Sequence, residues 1–211
     1  MSELTRPTRL CDADNALLLV IDLQGKIFEM GFNRDRLHVL SRGLMRLAEL
    51  FRVPVVLTEQ YPRGLGPTEP EIRATFDGLQ TETHMLEKTS FGCWGEPAFA
   101  ELVTRLAGQI HARRQGGPGR PVDVVVCGME THVCVQQTVL ELLGQPDLRV
   151  VVLADCVGGR VEAYHRVALE RFRQCGAVIS TIESLAFEWT RDKNDPRFKP
   201  MSALIKELAD S

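Results

Sequence analysis

Ala16-Leu-Leu-Leu-Val-Ile-Asp22 decides the fold. Six apolar residues follow one another without alternation, and the run ends on a carboxylate. A strand with one face in water alternates apolar and polar residues. An unbroken run instead predicts a strand buried on both faces, as in a parallel sheet covered by helices on either side. Comparable runs recur at Val53 to Leu57, Val122 to Val126, Val150 to Leu153 and Ala177 to Ile182, with a shorter one at His84 to Glu87.

Helical spacing fills the intervals. Leu37, Leu40, Leu44, Leu47 and Phe51 recur at three and four residues and form one apolar stripe. Phe99, Leu102, Val103 and Leu106 mark a second helix, Val133, Gln137, Leu140 and Leu143 a third, and Tyr164, Val167, Leu169 and Phe172 a fourth that ends at Gly176. Thr68-Glu-Pro-Glu71 has capping-box spacing and predicts a short helix before Phe76, and a last helix is expected from Met201 to Leu208. Strands alternating with helices predict a three-layer α/β/α sandwich with right-handed crossovers. There is no internal repeat. Gln115 to Pro121 is too short to divide domains and reads as a surface loop, so 1–211 is expected to be a single domain.

Composition narrows the function. The chain has 211 residues, 44% hydrophobic and 25% charged, the profile of an ordinary globular protein rather than a disordered or collagen-like one. Its 25 Lys and Arg against 28 Asp and Glu leave a net charge of -3, so there is no basic surplus to neutralise phosphates and no nucleic-acid partner is expected. No stretch approaches the ~20 apolar residues of a membrane span, so no membrane association is expected either. Met1 to Asp14 is charged and lacks an apolar core, which speaks against a signal peptide. None of the six cysteines stands in a CxxC pair; a structural zinc is not expected, and the thiols fit a reducing, cytoplasmic setting.

In an open parallel sheet, ligands sit beyond the carboxyl ends of the strands. Asp22 closes the first strand, Glu59, Gln60 and Tyr61 follow the second, Glu87 and Lys88 the third, and Asp155 closes the fifth. Cys134 falls in the first turn of the helix after Val122 to Val126. Unpaired amides and the helix dipole there favour a thiolate, and the same amides can hold an oxyanion; a small packed residue is the plain alternative. An acid, a cation and a thiol from three strand ends form a constellation for nucleophilic catalysis. His132, two residues before Cys134, points elsewhere on a helical turn and reads as a pocket or interface residue. Gly158-Gly-Arg160 fits no phosphate-binding spacing and reads as a turn.

Leu18-Leu-Val-Ile-Asp22-Leu-Gln24, Glu87-Lys88-Thr-Ser-Phe91 and Cys127-Gly-Met-Glu-Thr-His-Val-Cys134 resemble, in order and spacing, the isochorismatase-like cysteine hydrolase superfamily, which includes nicotinamidases. The resemblance covers a core from about residue 16 to 185, with 186–211 as a C-terminal helical extension. Glu59 to Thr68 and the tail Asp195-Pro-Arg-Phe-Lys199 resemble the branch of isochorismatase-domain-containing proteins, most of which lack an assigned substrate. The resemblance implies a six-stranded parallel sheet of order 3-2-1-4-5-6 and a triad of Asp22, Lys88 and Cys134. It also implies a non-proline cis peptide at Met129–Glu130, an oxyanion hole of the Glu130 and Cys134 amides, and a homo-oligomer. The Asp-x-His metal motif of nicotinamidases has no counterpart in Thr58-Glu-Gln-Tyr61, which argues for a site without metal or cofactor.

The expected activity is a metal-independent hydrolysis of a small amide or related C–N bond through a thioester, with Gln24, Phe28, Tyr61, Phe91 and Trp94 as candidate pocket walls around a small-molecule substrate. Two other readings stay open. The fold can serve as a non-catalytic binding or scaffold module, or Cys134 can act as a redox thiol with Cys127 or Cys156 approaching in space.

Overall fold

A computed structural model describes residues 9–113 and 120–210. The strands are β1 (Ala16–Ile21), β2 (Val55–Gln60), β3 (Thr83–Lys88), β4 (Val122–Met129), β5 (Leu148–Gly158) and β6 (Val178–Ser180). All pair in parallel, in the order β3-β2-β1-β4-β5-β6. The order reverses at β1 and β4, so the crevice between them opens at the carboxyl edge of the sheet, where doubly wound sheets bind ligands. The connections are α1 (Gly25–Glu29), α2 (Arg34–Leu50), α3 (Pro62–Leu65), α4 (Pro70–Gly78), α5 (Pro97–Arg113), α6 (Cys134–Leu143) and α7 (Glu162–Cys175), followed by α8 (Ile182–Thr190) and α9 (Phe198–Ala209).

The unbroken apolar runs serve two cores, because successive strand residues point to opposite faces. Leu18, Val20, Val55, Leu57, Val125 and Val151 face α2, α8 and α9. Leu17, Leu19, Ile21, Val56, Val124 and Val152 face α5, α6 and α7. The C-terminal segment completes the first core: Met201, Leu204, Ile205 and Leu208 of α9 are buried against α2, and Trp189 of α8 lies 5.6 Å from the Phe51 ring.

Several boundaries differ from the sequence reading for local reasons. β2 begins at Val55 because Pro54 has no N–H to give the ladder; its carbonyl accepts from Leu18 instead. β5 runs on to Gly158, with an irregularity opposite Val126 to Gly128, so Asp155 lies inside the strand rather than closing it. The Asp155 carboxylate accepts the Ile182 amide and starts α8, away from the expected site. Glu69, not Thr68, caps α4, accepting from the Ile72 amide. Thr68 turns inward and donates its hydroxyl to Glu59. Of the expected loop at 115–121, residues 115–119 lie outside the described residues.

Candidate active site

Three chain segments arrive at the carboxyl edge between β1 and β4. Asp22 follows β1 directly and adopts a left-handed backbone (φ 49°), a conformation aspartate tolerates, which turns the chain sharply out of the sheet. Its carboxylate lies between two supports. Thr58 of β2 donates its hydroxyl to Oδ1 at 2.8 Å, and the Lys88 ammonium, at the end of β3, stands 2.7 Å from Oδ2. Lys88 also donates to Gln60 Oε1 at 2.7 Å and to the Phe91 carbonyl at 3.0 Å. Burial, the largest single influence, would lower the lysine pKa; the opposing contributions together, the charge of Asp22 first among them, outweigh it and hold the ammonium above its ordinary value.

Cys134 is the first residue of α6, so its amide has no acceptor within the helix. It is buried, and it borders the same cavity as Asp22, whose charge its thiol feels. Burial first, and the neighbouring Asp22 charge second, push the thiol up to about 12, against the opposing pull of Lys88. The sequence expectation of a thiolate favoured by the helix start is therefore corrected. Cys134 rests as a thiol, with a carboxylate in place to take its proton. The Met129–Glu130 peptide, just before the α6 turn, is cis. Glu130 accepts the Val133 and Val135 amides at its carbonyl, tying this turn to the helix.

The thiol opens on a cavity of about 290 Å³. Gln24 and Phe91, both expected, line it. Phe28 does not: the short α1 turns its ring inward to the core, where it is 1% exposed and lies 6.3 Å from the His38 ring. Tyr61, more than half exposed, faces a separate shallow depression beside Glu87 and Glu96. Trp94 packs edge-on against Phe99, on the far side of the Lys88 loop, and faces another depression near His111.

Sequence reasoning missed much of the remaining wall, and named Met129 and Glu130 only for their peptide bond and backbone amide. Ile27, Leu65, Met129 and Val133 face the cavity, together with Glu130 and Arg160. The Arg160 guanidinium forks onto Glu130 (Nε to Oε1 3.0 Å, Nη2 to Oε2 3.1 Å), and its amide donates to the same carboxylate. Gly158-Gly-Arg160 is thus a turn, as read, but one that delivers a cation to the wall. The signal available was its place at the end of the fifth strand. His132 packs beside Tyr164, their ring centroids 5.2 Å apart. Glu59, buried beneath the loop, binds the Thr68 amide and hydroxyl at 2.7 Å each. Among the described residues no group of three or more His, Cys, Asp and Glu has an arrangement that could hold a metal ion.

A doubly wound parallel sheet with a thiol, a carboxylate and an ammonium gathered at its switch point defines an α/β protein of isochorismatase-like fold. The chain belongs to the isochorismatase domain family, whose model matches residues 16–184. Isochorismatase domain-containing protein 2 of Bos taurus is 37% identical over 193 residues, spanning 92% of this chain and 84% of the relative. Among solved structures, the MAR1 ribonuclease from Caenorhabditis elegans superposes with a TM-score of 0.79 at 29% identity, covering 94% of this chain and 93% of its own. The YcaC gene product of Escherichia coli, described as an octameric hydrolase of unknown specificity, superposes with a TM-score of 0.80 and covers 98% of this chain and 96% of its own; at 23% identity it shares the fold alone.

Proposed function

We propose that this chain is a metal-independent cysteine hydrolase acting on a small amide or related C–N bond. The observation that carries the reading is the Asp22 carboxylate, which pairs with the Lys88 ammonium at 2.7 Å and lines the same cavity as the Cys134 thiol, close enough for its charge to act on that thiol. A resting thiol beside a paired carboxylate suits general-base delivery of the nucleophile. Asp22 takes the thiol proton as sulfur attacks the carbonyl carbon. The developing oxyanion is held by the Glu130 and Cys134 amides. As the tetrahedral adduct collapses, Asp22 gives the proton to the leaving nitrogen and an amine or ammonia departs. The thioester is then hydrolysed by water that Asp22 deprotonates, and the thiol regains its proton. Lys88 keeps the carboxylate anionic and oriented throughout. In this reading the substrate is a small molecule, no cofactor takes part, and neither nucleic acid nor a membrane is a partner.

The relative named as a ribonuclease marks a rival activity. The net charge of -3 and a cavity of about 290 Å³ favour a compact substrate over a nucleic acid. The octameric hydrolase of the same fold supports assembly into a homo-oligomer. All six cysteines are free thiols, in keeping with a reducing cytoplasm. A screen of small primary amides, followed by mass detection of an acyl group on Cys134, tests the reading. Release of ammonia with a trapped acyl-enzyme is the expected result. A Cys134→Ala protein that keeps wild-type turnover overturns it and leaves the scaffold and redox readings standing.

A further inference from the structure

The charges on the cavity wall cancel in pairs. Asp22 is matched by Lys88 at 2.7 Å, and Glu130 by the two-pronged fork of Arg160. The polar amides are committed as well. Gln24 accepts the Gln60 amide at 2.6 Å and donates to the Gly66 carbonyl at 2.6 Å. Gln60 accepts from Lys88 and donates to the Thr89 carbonyl at 2.8 Å. The rest of the wall is apolar: Ile27, Leu65, Phe91, Met129 and Val133.

From this pairing we infer that the site selects an uncharged, compact amide with an apolar acyl group, and rejects amides whose far end carries a carboxylate or an ammonium. The inference rests on the amide-hydrolase reading for its chemistry. Its selectivity follows from electrostatics. A charged tail entering about 290 Å³ loses its water and, among the described residues, finds no uncommitted counter-charge in return. Among the described residues Arg160 is the one cation lining the cavity. A substrate carboxylate there can reach the remaining N–H groups of the half-exposed guanidinium, but the charge it meets is already offset by buried Glu130, which holds Nε and Nη2 and which, against burial, Arg160 keeps below the usual carboxylate range. An apolar acyl group leaves every pair intact and buries its own surface against the aliphatic wall.

Three primary amides of similar size separate the possibilities: 3-methylbutanamide (neutral), succinamate (anionic) and 3-aminopropanamide (cationic). Two readouts are used on the full-length chain. Ammonia release gives kcat/KM, and protection of Cys134 from iodoacetamide gives occupancy of the site whether or not turnover occurs. The neutral amide is expected to exceed both charged ones by roughly a hundredfold in kcat/KM and to be the one that protects the thiol at millimolar concentration. Equal or better protection by succinamate or 3-aminopropanamide overturns the inference, as does absence of protection by all three. Protection by the neutral amide without ammonia release keeps the inference on selectivity and overturns the hydrolase reading. Glu130→Gln adds a second measurement. Removing the partner carboxylate frees the Arg160 fork, so the ratio of succinamate to 3-methylbutanamide protection is expected to rise at least about tenfold. A folded Glu130→Gln protein with an unchanged ratio contradicts the pairing argument. If that variant does not fold, the three-amide comparison on the wild type decides alone.

Discussion

The carboxylate of Asp22 pairs with the Lys88 ammonium at 2.7 Å, and these two charges bias the neighbouring Cys134 thiol in opposite directions. Asp22→Asn removes the like charge that helps hold Cys134 up to about 12, so the thiol ionises more readily. Iodoacetamide labelling at pH 8 is then expected to quicken, while amide turnover falls at least ~100-fold for want of a base. Lys88→Met acts the other way. Labelling slows, and a buried carboxylate left without its partner costs about 3–5 kcal/mol of stability, read from urea unfolding. Labelling rates that move in the same direction in both variants would contradict the arrangement. Asp22 and Lys88 stood out in the sequence because a charge ending an apolar run is expensive to place without a partner, and Cys134 because it opens the helix after β4. Arg160 was not legible, since a glycine pair followed by arginine is ordinary turn chemistry and its mate, Glu130, lies 30 residues away. Phe28 and Trp94 misled for another reason. An aromatic near a strand end says nothing of which way a short helix or loop turns its ring.

At the scale of elements, the β4–α6 junction governs how Cys134 is presented to the cavity, and Gly128 is a tight point in it. Its φ of +130° is open to glycine, and a methyl there would overlap the backbone of Ile21 on β1. Gly128→Ala is therefore expected to pry β1 from β4 at the edge that carries Asp22 and Cys134, costing on the order of 3–5 kcal/mol. A thermal melt within 2 °C of wild type, on the scale of roughly 2–4 °C per kcal/mol for a chain of this size, would contradict that close approach. The same scale shows where sequence periodicity stops informing. Strand order and helix existence follow from buried faces, which leave period-two and period-3.6 signals over many residues. Ends follow from single hydrogen bonds, which leave none. Thr68 had the residue type and spacing of a cap, yet its hydroxyl went to buried Glu59, because an unpartnered carboxylate there would be costlier than an uncapped helix. The short α1 and α3 were not foreseen; four or five residues carry too little periodicity to register.

Across the whole molecule, five of the six cysteines are buried, distributed over both cores and the active site. Burial is the first cause that pushes each of them up: Cys11, Cys93 and Cys134 to about 12, Cys127 and Cys156 further still. This ties stability to alkaline pH with a definite sign. Below the ordinary thiol value of about 8.5, both the folded and unfolded chains keep these protons, and the thiols leave stability independent of pH. Above it the unfolded chain releases protons that the folded chain retains, so the equilibrium shifts toward unfolding by about 1.4 kcal/mol per pH unit for each such group, until the folded thiol itself titrates. Urea midpoints taken from pH 7 to pH 11 are expected to stay level and then fall steeply from about pH 9. Lysines and tyrosines also titrate in that range, so the attribution needs variants. Cys127→Ala, in the middle of β4, removes one retained proton; its curve should fall less steeply than wild type, whatever the filling defect does to its height. Identical slopes in wild type and Cys127→Ala would show that the buried thiols do not set the alkaline limit of this fold.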